Sequence, residues 1–170
     1  MTTTESGHVH RRMTAPRFLN PLVGAVLRSP VHRILSRRLM LVQVRGRRTG
    51  RITTFPVGYL QDGDTLDVLV GDFRTKTWWR NLQGGARTRV RLRGRTIDAT
   101  GEILRWESDE PALRAALARC AAASAFTRRA LRITGRPGAL EPSSLQRAAR
   151  DVVIVRITLD HPGPGAATGP

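Results

Sequence analysis

The sequence predicts a mainly β domain of the α+β class: a small, mostly antiparallel barrel with helices outside it. Three observations carry this expectation. Segments rich in branched residues recur between residues 39 and 106, joined by short turns that contain glycine. No strand alternates with a long helix, which argues against a doubly wound parallel sheet. One longer helical pattern follows the strands, and helices set to one side of an antiparallel sheet are a stable layer solution.

In chain order, residues 1–12 are polar and read as disordered. Residues 16–27 and 30–38 read as two short helices parted by Ser29 and Pro30, since proline suits a first helical position. The apolar stretch FLNPLVGAVL, 18–27, is broken by Pro21 and Gly24 and falls short of the roughly 18 residues of a membrane span. Arginines precede it but no small-residue cleavage site follows, so it reads as an interfacial or groove-covering helix rather than a secretory signal. LMLVQVR, 39–45, is a strand, GRRTGR, 46–51, a turn, and ITTFPVGYL, 52–60, a second strand. Pro56 cannot donate to a ladder and marks this strand as an edge or a bulge. QDGD, 61–64, is a tight hairpin leading into TLDVLVG, 65–71, with Leu66, Val68 and Val70 on one face.

TWWRNL, 77–82, reads as a short helix. RTRVRLRG, 87–94, alternates, with Thr88, Val90 and Leu92 inward and the arginines outward. A turn at Gly94 pairs it with 95–106, where Ile97, Ala99, Gly101 and Ile103 share a face. SDEP, 108–111, starts a helix through its cap, its early acids and its early proline; the helix runs to about 123 and resumes to 133. GRPGALEPSS, 135–144, is expected as a loop, VVIVRITL, 152–159, as a buried strand, and 161–170 as a disordered tail. One domain is therefore expected over 13–160, including the N-terminal helices.

Composition narrows the chemistry. The net charge is +16 and the isoelectric point about 11.9, which favours nucleic acid, an acidic membrane surface or phosphorylated ligands. The chain holds 28 arginines but a single lysine, Lys76, a skew that also reads as the codon bias of a GC-rich genome. Charge alone therefore selects no partner. A lone cysteine, Cys120, excludes an intrachain disulfide and a cysteine-rich metal site, and fits a reducing, cytoplasmic compartment. The histidines, His8, His10, His32 and His161, lie scattered near the two ends, and no metal site is expected. HExxH, Walker A and GxSxG motifs are missing, and the carboxylates lack the spacing of a dyad. An enzyme built on this chain draws its reactivity from a bound cofactor rather than from a catalytic side chain.

Two stretches carry candidate chemistry. In GRRTGR, the glycines let backbone approach an anion, Thr49 offers a hydroxyl, and Arg47, Arg48 and Arg51 offer charge-assisted donors. An ordinary basic hairpin has the same spelling. In GDFRTKTWWRNL, 71–82, Lys76 beside Trp78, Trp79 and Asn81 suits a planar aromatic ligand with an acidic tail. The alternative is that both tryptophans are core anchors. Tyr59, the sole tyrosine, either points into a pocket or caps the barrel. The arginine face of 87–93 lacks the interleaved aromatics of a nucleic-acid groove, so no specific nucleic acid is expected.

Taken in order, VRGRRTG, TTFPVGYLQDGD, LDVLVGD and KTWWRNL resemble the deazaflavin-dependent nitroreductase and quinone reductase family. The resemblance covers residues 39–106, with looser agreement to 159. It implies a split β-barrel and the coenzyme F420, a deazaflavin with a phosphate and an oligoglutamate tail. By the same resemblance Arg47, Arg48, Thr49 and Gly50 hold the phosphate, while Pro56, Val57 and Gly58 line the ring. Val70, Gly71 and Asp72 border it, and Lys76, Trp78, Trp79 and Asn81 close the pocket. The implied reaction passes hydride from the reduced ring to a small-molecule acceptor: a quinone, a nitro compound or another activated species. Tyr59 is the candidate on the substrate side. Well-known members place tyrosines near the substrate in their C-terminal half, whereas none follows Tyr59 here and Phe126 is the only aromatic after Trp106. Acceptor choice is therefore not carried over. Two other readings stand beside this one: a non-catalytic deazaflavin or fatty-acid binder of the same fold, and a basic nucleic-acid or membrane-surface protein. Contact with an anionic membrane would run through the N-terminal helices.

Overall fold

The computed structural model describes residues 39–160. The expected disordered N-terminus, the helices of 16–38 and the tail of 161–170 lie outside these residues. Strand β1 spans Leu39–Arg45, β2 Ile52–Gly58, β3 Leu60–Asp62, β4 Thr65–Val70, β5 Ala86–Leu92, β6 Arg95–Leu104 and β9 Val153–Leu159. They form one sheet in the order β2-β1-β5-β6-β9-β4-β3, and every pair is antiparallel. Strands β2 and β3 are its two edges, yet only Tyr59 separates them in the chain. Consecutive Cα atoms lie about 3.8 Å apart. Two edges joined by one residue must meet, so the sheet curls into the split barrel.

Period-two alternation fills this barrel. Met40, Val42 and Val44 point inward from β1, Leu66, Val68 and Val70 from β4, and Val90 and Leu92 from β5. Thr88 is buried with them and donates to the Gln43 carbonyl. Arg87, Arg89 and Arg91 are exposed, as the alternation predicts. Pro56 lies in the edge strand β2, opposite Leu41, where its missing N–H breaks no ladder. The β5–β6 turn holds Arg93 at φ +50° and Gly94 at φ +83°, the positive pair that matches the twist of a two-residue hairpin.

Helix α1, Trp106–Ala123, bends at Asp109 and runs regularly from Pro111, so the expected SDEP start corresponds to the segment beyond the bend. The short α2, Ala125–Ala130, is capped by Ser124, whose Oγ accepts from the Thr127 N–H at 3.1 Å. The segment expected as a loop holds more order than its Gly and Pro content suggests. A ribbon pairs β7, Gly135–Arg136, with β8, Ala139–Leu140, and helix α3 then spans Pro142–Arg150. Proline stands at the start of α3, and Leu145, Ala148 and Ala149 form its buried stripe. The helix is only nine residues long and follows Gly135, Pro137 and Gly138, which mask its start in the sequence. This stripe packs with Leu113, Leu117 and Ala121 of α1 over Leu104 and Ile154, making a second core outside the barrel. Asp67 of β4 lies at its border, 2% exposed, with Arg119 Nη2 at 2.7 Å and Arg156 Nε at 2.9 Å. The hydrogen bond to Asp67 raises the Arg156 pKa above its ordinary value, so that guanidinium stays charged.

Candidate functional site

The turn after β1 is closed by its own backbone. The Gly46 N–H donates to the Arg51 carbonyl and the Gly50 N–H to the Gly46 carbonyl, both at 2.8 Å. Thr49 Oγ1 accepts from the Arg51 N–H at 3.3 Å. Gly50 sits at φ +65°, where a Cβ is disfavoured. Arg47, Arg48 and Arg51 are left exposed around this frame.

The opposite wall follows β4. The Asp72 carbonyl accepts from the Thr75 and Lys76 N–H groups at 2.9 Å, folding 72–76 into a turn that delivers Lys76. A 3-10 helix follows over Trp78–Leu82. Its inner side is anchored: Trp79 is 3% exposed, Leu82 is 1% exposed, and Trp79 Nε1 donates to the Phe73 carbonyl at 3.1 Å. Leu82 lies directly over Gly101 of β6, where an added Cβ would stand 3.0 Å from its Cδ1. Asn81 ties the walls together. Its Oδ1 accepts from the Arg47 N–H at 3.1 Å and its Nδ2 donates to the Trp78 carbonyl at 3.0 Å. Arg47 Nη1 adds a bond to Gln83 Oε1 at 3.3 Å.

Between the walls lies an open cleft of about 510 Å³. Val44, Thr53 and Phe55 line its base; Arg47, Arg48, Thr49 and Arg51 line one rim; Lys76, Thr77, Trp78 and Asn81 line the other. The Phe55 and Trp78 rings lie 5.8 Å apart with planes inclined by 35°. Four cations line this cleft and no carboxylate does. It is a place for a ligand that is flat and apolar at one end and strongly anionic at the other.

The structure brings Arg47, Arg48, Thr49, Lys76, Trp78 and Asn81 to one cleft, with Gly50 in the same turn. The remaining named residues stand off its lining. Trp79 is in the barrel core beneath it. Val70 is buried in the barrel, while Gly71 and Asp72 are exposed beyond it. Pro56 and Gly58 are exposed along β2, and Val57 packs against the barrel core. Tyr59 is buried where the two sheet edges meet. Val44, Thr53, Phe55 and Thr77 line the cleft without having been singled out, and Arg51 does so from within the GRRTGR turn. The missed signal is the period of β2, since Thr53, Phe55 and Val57 share its inner face.

Known structures and a family model show what the chain is similar to. The heme storage protein HutZ from Vibrio cholerae aligns at 13% identity over 78% of this chain and 90% of its own, with a TM-score of 0.48. A pyridoxamine 5'-phosphate oxidase-related, FMN binding protein from Nostoc punctiforme aligns at 12% identity over 86% of this chain and 82% of its own, with a TM-score of 0.43. No curated protein sequence matches. A family model, however, matches residues 26–136, more than half of the chain and all of the cleft. The chain belongs to the F420H(2)-dependent quinone reductase family.

Proposed function

We propose that the cleft binds reduced coenzyme F420 and that the protein is an oxidoreductase acting on a quinone, nitro or other activated small-molecule acceptor. One observation carries this reading: two separate motifs converge on a cleft with four cations, a tilted aromatic pair and no lining carboxylate. The donor set fits the cofactor. A phosphate suits Arg47, Arg48 and Arg51 with the Thr49 hydroxyl and the glycine-freed backbone of the turn. Lys76 offers a compact charge, and Trp78 with Phe55 offers an apolar wall for the ring. Trp79 acts from beneath, as the anchor of the helix that carries Trp78. The same proposal extends the border of the ring past Phe55 toward Pro56, Val57 and Gly58, and on the other side toward Val70, Gly71 and Asp72.

When bound, reduced F420 supplies the hydride. The chain binds, orients and excludes water, and effective concentration rather than a protein nucleophile is its contribution. Tryptophan fluorescence tests the binding step, because Trp78 lines the cleft whereas Trp79 is buried beneath it. Titration with F420 gives saturable quenching that Trp78→Phe reduces. A flat titration at tens of micromolar would sink the proposal. Loss of reduced-cofactor absorbance with menadione as acceptor then separates an enzyme from a non-catalytic carrier.

A further inference from the structure

The outer side of β2, β1 and β5 carries a second surface that the cleft does not use. Residues opposite one another in an antiparallel pair share a face. The registers therefore set out three rows here: Ile52 beside Arg45; Thr54, Gln43, Arg89 and Asp98; and Pro56, Leu41, Arg91 and Thr96. Their inward-facing neighbours Met40, Val42, Val44 and Val90 are buried, so these rows face outward. Helix α1 packs on β4, β6 and β9, leaving these strands to one side.

Two properties coincide on this face. Ile52 is 56% exposed and Leu41 38%, two of the three large exposed hydrophobics among the described residues, and Pro56 is exposed beside Leu41. Around them stand Arg45, Arg87, Arg89 and Arg91. Arg87 is paired with Asp160 at 2.7 Å and Arg89 with Asp98 at 2.6 Å. Arg45 and Arg91 have no acidic partner among the described residues. A depression of about 380 Å³ opens between Arg45, Arg87, Arg89 and Ile52, with Asp98, held by Arg89, also in its lining.

We infer that this face docks on an anionic lipid surface. Exposed aliphatic side chains enter the headgroup boundary, arginines snorkel beside them, and unpaired guanidinium charge meets lipid phosphate. A second copy of the chain is a poor occupant, because two-fold pairing would set like charges against each other. Nucleic acid would use the arginines but not Ile52 and Leu41, and the face has no aromatic for base stacking. The inference stands independently of what fills the cleft.

Vesicle sedimentation with the full chain tests it, comparing phosphatidylcholine alone with phosphatidylcholine containing phosphatidylglycerol. Binding should require the anionic lipid and weaken as salt rises. Arg91→Glu should weaken it about tenfold and Ile52→Ser severalfold, with F420 titration and the melting temperature reporting that the cleft and fold are intact. Vesicle binding that neither substitution changes would overturn the inference, because the contact would then lie elsewhere in the chain. Equal binding to neutral vesicles, or binding to duplex DNA that falls with Arg91→Glu but not with Ile52→Ser, would overturn it as well.

Discussion

Lys76 and Asn81 divide the labour of the cleft at the scale of single residues. Lys76 contributes charge at the rim, so Lys76→Ala should weaken F420 about fivefold to tenfold, on the scale of one charge-assisted contact. Lys76→Arg should retain most of the affinity. Asn81 contributes position: it accepts from Arg47 and donates to Trp78. Asn81→Ala should cost about 1–2 kcal/mol of stability in a urea melt, through two lost hydrogen bonds, and weaken F420 as well. Lys76 was legible in the sequence because composition made it conspicuous. Phe55 was not, because a phenylalanine inside a strand announces burial and gives no sign that its ring will face a cleft. Two exposed carboxylates add an acid dependence. Asp98 is held below its ordinary 3.8 by the hydrogen bond from Arg89, and Glu141 below 4.5 by those from Thr134 and Ser143. Both are depressed in the folded state, so their stabilisation is complete at neutral pH. It is lost progressively as the pH falls from the ordinary carboxylate values through the lowered folded ones. Asp98→Asn should flatten the acid limb of the melting curve.

Elements act on the site through what lies beneath them. The 3-10 helix rests on Leu82, and Leu82 rests on a residue with no side chain, Gly101. Gly101→Ala should push Leu82 outward, cost about 1–3 kcal/mol, and weaken the cofactor although Gly101 does not line the cleft. A melt paired with an F420 titration checks both effects. Helix α1 carries Cys120 on its buried side, and burial pushes the thiol up to about 11. The native protein should therefore resist a thiol reagent at pH 8 and react once unfolded. The unfolded thiol ionises near its ordinary 9.0, so this group weakens the fold as the pH rises from 9 toward 11. The strands were legible because β-branched alternation is a strong signal, as in β5. Helix α3 was not, because it is short and its start is hidden behind a segment full of Gly and Pro.

At the scale of the whole molecule, the described residues form two cores on opposite sides of one sheet, with Asp67 at the border of the outer one. Asp67→Asn leaves Arg119 and Arg156 beside a neutral amide and should destabilise the protein by about 3 kcal/mol in a denaturant melt. The barrel was legible from short hairpins and the lack of long crossovers, whereas the strand order was not, because local patterning carries no record of which distant strands pair. That order has a consequence for how the chain comes to be folded. Strand β9, the last of the described strands, lies in the middle of the sheet, between β6 and β4. Until residue 159 has left the ribosome, β6 and β4 each keep a raw hydrogen-bonding edge, of the kind that recruits foreign strands. Strand β9 is thus the keystone of the sheet: a chain stopped at residue 151 should keep every motif of the cleft and still accumulate as insoluble protein.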